Sequence, residues 1–232
     1  MSFYKRMFLV AIPLTIQQLI FSSVNLLDTL MIGQLSEVAI AAVGLSNQFY
    51  FVYNLLLFGL SSGGAIFIAQ YWGAKESGSI SKTTALMLMV AFLFLFPFFI
   101  LAVFFPSLTL RLFTPDPQVI QLAVAYMQMI GFTLLPAAIS YVFYSVLRST
   151  EHAFAAMAFS AITMCLNAFL NWVFIFGLFG LPALGVFGAG LATLIARLVE
   201  FCLVVAIVYG KKMPGKLAFI HFKSLTRAFF KR

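Results

Sequence analysis

The run MFLVAIPLTIQQLIFSSVNLLDTLMI, Met7–Ile32, decides what kind of molecule this is. It is long enough to cross a bilayer as one helix, for which about 20 apolar residues suffice. Inside it stands a carboxylate, Asp28. A charged group at mid-membrane costs roughly 2.5–3.5 kcal/mol on insertion scales, so a chain that keeps one there has a use for it. The competing reading puts Asp28 near the helix end, with its carboxylate reaching headgroups or water. At about 100° per residue, Gln17, Gln18, Ser22, Asn25, Asp28 and Thr29 share one sector of roughly 140°. A helix surrounded by lipid would not collect its polar groups on one side. The stripe must face protein or a water-filled cavity, which favours a functional Asp28.

Composition extends this reading to the whole chain. It is 63% hydrophobic and 9% charged, against roughly 25% charged in soluble domains. Too little polar surface remains to cover a core in water. The expected fold class is all-α integral membrane, with six transmembrane helices. The net charge of +8 would suggest nucleic acid in a soluble protein. Here the basic residues fall in short connections and a C-terminal stretch, where they set topology instead, and no nucleic-acid partner is expected. Cys165 and Cys202 both lie inside apolar runs, which argues against a disulfide framework.

The predicted spans are about 7–32, 45–71, 83–105, 118–146, 153–176 and 185–209, one lobe over 1–209, followed by a basic tail at 210–232. GQLSEVAIAAVG (33–44) reads as a link, and GAKESGSISK (73–82) and SLTLRLFTPDP (107–117) as loops. Asn47, Tyr50, Asn54 and Ser61 recur on one face of the second span, consistent with either close packing or a second cavity wall. Pro97 and Pro136 predict a kink and a bend in the third and fourth. The tail sequence KLAFIHFKSLTRAFFKR reads equally as an amphipathic helix on an anionic leaflet or as a plain basic linker.

Orientation follows from lysine and arginine. With the N-terminus inside, the cytoplasmic set is Lys5, Arg6, Lys75, Lys82, Arg148 and the seven of the tail, twelve of the fourteen. Arg111 falls outside and Arg197 lies within the sixth span. The positive-inside rule therefore puts both termini in the cytoplasm of a multi-pass plasma-membrane protein.

Asn167 and Asn171, four apart, project from one face of the fifth span. Two membrane-embedded amides need partners, from a neighbouring helix or from a ligand. Thr193 follows in the sixth span, then Arg197 and Glu200 at i, i+3, a pair that reads as mutual neutralisation within the bundle. A carboxylate, two amide oxygens and a hydroxyl suit a hard cation, with oxygens for Na⁺ or the carboxylate for H⁺. Spacing does not say whether the helices bring them together.

Enzyme chemistry is not expected. GLSSG (59–63) superficially matches an intramembrane serine site, but its nucleophile needs a histidine base, and His152 and His221 both fall outside the spans. No HExxH metalloprotease motif is present. A non-transporting structural subunit is the plainer alternative.

Five ordered segments carry a resemblance. DTLMIGQLSEVAIAAVGLS (28–46), GGAIFIAQYWGAKESG (63–78), VLRSTEH (146–152), LNAFLNWVFIFG (166–177) and GVFGAGLATLIAR (185–197) resemble the multidrug and toxic compound extrusion (MATE) family, over nearly all of 7–210. The resemblance implies one lobe of a twelve-helix transporter, NorM-like, that exports small cationic amphipathic compounds in exchange for H⁺ or Na⁺ and needs no other cofactor. It matches Asp28 to the family's first-helix acid, Asn167 to its fifth-helix asparagine and Thr193 to its sixth-helix threonine. Asn171 stands where one branch has a second aspartate, so one negative charge is missing. The expected cation-coupling set is Asp28, Asn167, Asn171 and Thr193, with Na⁺ as the candidate metal; Gln17, Asn25 and Asn54 are candidate cavity-lining residues. The chain resembles the N-terminal lobe, so the expected partners are the lipid bilayer and a second six-helix lobe, from a missing half or another chain. The implied location is a bacterial inner membrane. A flippase for lipid-linked saccharides is the alternative within the superfamily. It would be expected to line its cavity with several basic residues for phosphate, and only Arg197 lies inside a span.

Overall fold

The computed structural model describes residues 3–210, with some α1 side chains, those of Gln17 and Asn25 among them, outside the description. The basic stretch 211–232, predicted as a tail, lies outside it as well. The described residues form helices α1 (Phe3–Gly33), α2 (Glu37–Gly73), α3 (Ser77–Val103), α4 (Pro106–Arg111), α5 (Pro117–Ser149), α6 (Ala153–Phe176) and α7 (Gly185–Gly210). Five of them are long and apolar enough to cross a membrane, and α1 carries a shorter apolar stretch over Gln18–Gly33.

Three connections expected to be irregular are partly helical. The segment read as a link joins α2, which starts at Glu37 rather than at 45. Ser36 is extended at the N-cap, and its Oγ accepts from the Ala39 N–H at 3.0 Å. Glu37 follows in the first turn, where a negative charge meets the positive end of the helix dipole. The small residues that suggested a link are interior ones: Ala39 and Ala42 are buried against neighbouring helices. The second difference is α4. Just before the stretch read as loop, Pro106 opens a short helix whose Thr109 hydroxyl donates to the carbonyls of Phe105 and Leu101. Likewise α3 begins at Ser77, so Lys82, expected in a loop, sits within its second turn. Helices α3 and α5 both continue through their prolines, Pro97 and Pro136.

The organising element is α5. Of its most apolar 18-residue window 78% is buried, against 22–28% in the other four long helices, so α5 is the core and the rest are its jacket. Helices α7, α2 and α3 pack on it. Tyr53 and Leu57 of α2, Leu88 and Ala91 of α3, and Leu134 and Val142 of α5 form the largest apolar cluster. Helix α1 is peripheral: it packs mainly on α6 and only thinly on α2 and α7. Helices α2 and α7 both lean on α5 without a substantial contact between them.

The seam between α6 and α7 positions the site. Gly177, at φ 71°, ends α6 in the left-handed conformation, and the Phe174 carbonyl accepts from the Leu184 N–H at 2.9 Å. A Cβ at Gly188 would lie 2.7 Å from that same carbonyl oxygen, so only glycine lets α7 approach this closely. Gly188→Ala is expected to push α7 off α6 and to cost about 1–3 kcal/mol. Thermal unfolding in detergent measures it; an unshifted midpoint would show that the seam can widen freely.

Candidate cation site

Three helices converge on one carboxylate. Asn171 of α6 is 2% exposed, and its Nδ2 donates to Asp28 Oδ1 at 2.7 Å, a link across 143 residues of chain. Such a charge-assisted bond is roughly twice as strong as a neutral one. Asn167, one turn earlier on the same face, bridges Asp28 to α7. Its amide has two orientations, related by a half-turn that exchanges oxygen and nitrogen. In one, Nδ2 donates to Thr193 Oγ1 at 3.4 Å. In the other, Nδ2 donates to Asp28 Oδ2 at 3.2 Å while the amide oxygen accepts from the Thr193 N–H at 3.3 Å. The second satisfies both ends and gives the carboxylate two amide donors. The Thr193 hydroxyl donates to the Ala189 carbonyl at 2.9 Å, which leaves its lone pairs facing Asn167.

One atom here is unmatched. Asn171 Oδ1 is buried and has no hydrogen-bond partner among the described residues. A buried acceptor without a donor costs about 1–3 kcal/mol. Beside a carboxylate, an orphaned acceptor is what a cation would satisfy. No cluster of three or more His, Cys, Asp or Glu exists among the described residues, so a transition-metal centre is not on offer there. Asp28 is the single formal charge of the cluster, so a monovalent cation neutralises it whereas a divalent ion would leave excess charge in the membrane.

The other residues that the sequence suggested lie elsewhere or outside the description. Asn54 spends its Nδ2 on the Tyr50 carbonyl of its own helix at 3.0 Å and is not part of the cluster. Gln17 and Asn25 belong to α1, but their side chains are outside the described residues. Sequence reasoning missed Tyr126. This α5 residue is 5% exposed, its hydroxyl donates to Asn47 Oδ1 at 3.2 Å, and it stands within electrostatic range of Asp28. The available signal was a tyrosine well inside the predicted fourth span.

These are the helices of a multi-pass membrane protein, and comparison with known proteins gives the family. The MatE family model matches residues 13–173, and the chain belongs to that family. It is 28% identical over 216 residues to a protein of Agrobacterium fabrum described as "Probable multidrug resistance protein NorM", covering 93% of this chain and 46% of that one. A protein of the same description from Bradyrhizobium diazoefficiens is 31% identical over 202 residues, covering 87% and 43%. Among solved structures, a MATE in complex with MaL6 superposes with a TM-score of 0.85 at 22% identity, over 94% of this chain and 48% of that one. A transporter of the MOP superfamily from Pyrococcus furiosus gives 0.83 at 23% identity, over 94% and 48%. At such identities the structures speak for the fold alone. The chain spans about half the length of the curated relatives it matches. Members of the family are multi-pass membrane transporters, not enzymes.

Proposed function

We propose that this chain is the N-terminal, cation-coupling lobe of a multidrug antiporter, which exports amphipathic organic cations in exchange for H⁺ or Na⁺. A second six-helix lobe supplies the other wall of the transport cleft. The membrane is a bacterial inner membrane, with both ends of the chain on the cytoplasmic side, as the twelve of fourteen basic residues on that side favour.

The observation that carries the reading is the Asp28 cluster. A carboxylate is held by amide donors from one helix, an acceptor is left over at Asn171 Oδ1, and a threonine hydroxyl completes the set from a third helix. Loading a proton or Na⁺ removes the charge, and with it the reason for the amides to point inward. A competing organic cation restores a charge partner. The binding of one cation therefore opposes that of the other, which is the thermodynamic requirement for exchange. The flippase alternative is less favoured: among the described residues Arg197 is the one cation deep within an apolar helix, and Glu200 neutralises it at 2.7 Å.

Inverted membrane vesicles from cells expressing the intact gene provide the test. An imposed Na⁺ gradient or pH gradient is expected to drive accumulation of a fluorescent lipophilic cation. If neither gradient does so, the antiporter reading fails.

A further inference from the structure

Where α3 gives way to α5, the chain builds a cavity that the Asp28 cluster does not use. Its volume is about 670 Å³, within the range of about 300–1,000 Å³ found for clefts that hold small molecules. Ser107 and Arg111, at i and i+4, face it from one side of α4. Thr114 joins them from the turn that follows, and Gln121 from α5, with Ile120 and Val124 as apolar lining. The walls are fixed. Leu110 of α4 is fully buried in one apolar cluster with Val119 and Ala123 of α5. Thr109 ties α4 back to the end of α3 through its bond to the Leu101 carbonyl at 3.1 Å. Pro115 and Pro117 stiffen the rim. A site whose parts are already in place loses little freedom when it is filled. Its charge is one-sided, because no carboxylate lines it. Asp116 is spent on the α5 cap, its Oδ1 accepting from the Gln118 N–H at 2.9 Å. Arg111 is exposed and has no ion-pair partner among the described residues.

We propose that this cavity holds the headgroup of an anionic phospholipid whose polar end carries hydroxyls rather than an amine, as phosphatidylglycerol does. The planar guanidinium of Arg111 matches a phosphodiester in bidentate geometry. Ser107, Thr114 and Gln121 supply donors and acceptors for the glycerol hydroxyls. An amine headgroup suits the cavity less, since no carboxylate there receives an ammonium. The surroundings call for acyl chains. Leu108 and Leu112 each follow a polar lining residue by one position, so they form the next stripe round α4. Phe104, Phe105 and Phe113 flank that stripe, and all five side chains are 41–81% exposed. A soluble phosphate would leave this collar in water, whereas a lipid covers it with the same molecule that fills the cavity. The height is right as well. Helices α3 and α5 are each long and apolar enough to cross a membrane, and α4 lies between the end of one and the start of the other. In the orientation proposed above this is the outer leaflet, where Arg111 is the one basic residue of the connections. The proposal depends on the membrane placement of the helices and not on the antiporter reading.

Native mass spectrometry of the full chain released from detergent counts the lipids it retains. The protein is titrated with phosphatidylglycerol and with phosphatidylcholine of identical acyl chains. The wild type is expected to bind its first phosphatidylglycerol about fivefold more tightly, the scale of one basic side chain meeting an anionic lipid. Arg111→Gln should bring the two affinities together. Arg111 is exposed and holds no ion pair among the described residues, so this variant keeps the packing of α4. Arg111→Lys should also lose most of the preference, because a point charge cannot replace the planar fork. Lys82→Gln removes the same charge from the other end of α3 and should leave the preference unchanged. The proposal is overturned by no preference in the wild type, by a preference that survives Arg111→Gln or Arg111→Lys, or by an equal loss in Lys82→Gln. Displacement of the lipid by excess soluble glycerol phosphate would also overturn it, by showing that the acyl chains contribute nothing. Ion-driven transport does not enter this readout, so failure of the antiporter reading would register separately.

Discussion

Asp28→Asn is expected to reduce ion-driven efflux by more than about tenfold while leaving the amount of protein in the membrane unchanged. The substitution removes the single charge of the cluster but little of its shape. Asparagine keeps an oxygen where Asp28 Oδ1 accepts from Asn171 at 2.7 Å. Its new amide nitrogen would face Asn167, which can turn. In its alternative orientation Asn167 offers its oxygen on that side and donates to Thr193 Oγ1 at 3.4 Å instead. The network is therefore repaired by one amide rotation, and the fold has no reason to fail. What cannot be repaired is the ability to carry a proton or to neutralise Na⁺. Efflux assayed in cells expressing the intact gene, normalised to membrane protein by immunoblot, measures the effect. Unchanged efflux at equal expression would remove Asp28 from the coupling role.

Glu200→Ala is the variant with the largest expected effect on stability. It leaves the Arg197 guanidinium inside the bundle without its anion, and leaves the Tyr144 hydroxyl without its acceptor. Breaking one side of a buried pair costs about 3–5 kcal/mol, because the surviving charge is uncompensated. Removing both charges together, as in Arg197→Met with Glu200→Met, should restore most of the loss, to within about 1 kcal/mol of the wild type. Thermal unfolding in detergent distinguishes the cases. A Glu200→Ala protein as stable as the wild type would show that water already reaches the guanidinium well enough to replace Glu200.

The sequence shows most clearly what membrane physics imposes. Long apolar runs announce helices, and the predicted spans at 118–146, 153–176 and 185–209 fall within α5, α6 and α7 almost end to end. The amide pair in the fifth span is legible because helical periodicity alone puts Asn167 and Asn171 on one face. Where composition departs from that rule, the reading fails. The segment 33–44 is rich in small residues, and small residues serve links and tight helix contacts alike; only the Ser36 cap and the burial of Ala39 and Ala42 decide for helix. Residues 107–111 read as loop because the prolines downstream dominate the stretch, although Pro106 suits the first turn of a helix. Which helix meets which is not legible at all. Nothing in the spacing says that Asn171 rather than Asn54 reaches Asp28, since that follows from α1 packing on α6 and only thinly on α2. Tyr126 and Tyr144 escape for the same reason. Their hydroxyls matter because of partners that stand far away in sequence, Asn47 and Glu200.

The 143 residues between Asp28 and Asn171 also impose a schedule on the ribosome. Helix α1 leaves the translocation machinery with its carboxylate already in the bilayer, and neither α2 nor α3 offers it an amide. Its partners emerge only with α6, which at about 5–20 residues per second comes roughly 7–30 s later. The central helix α5, with most of its surface destined for neighbours, likewise waits for α7 before its burial is complete. During that interval the nascent chain holds a membrane carboxylate that only water, lipid headgroups or an assisting insertase can shelter. Slowing translation ahead of residue 153 should lengthen that exposure and lower the yield of inserted protein.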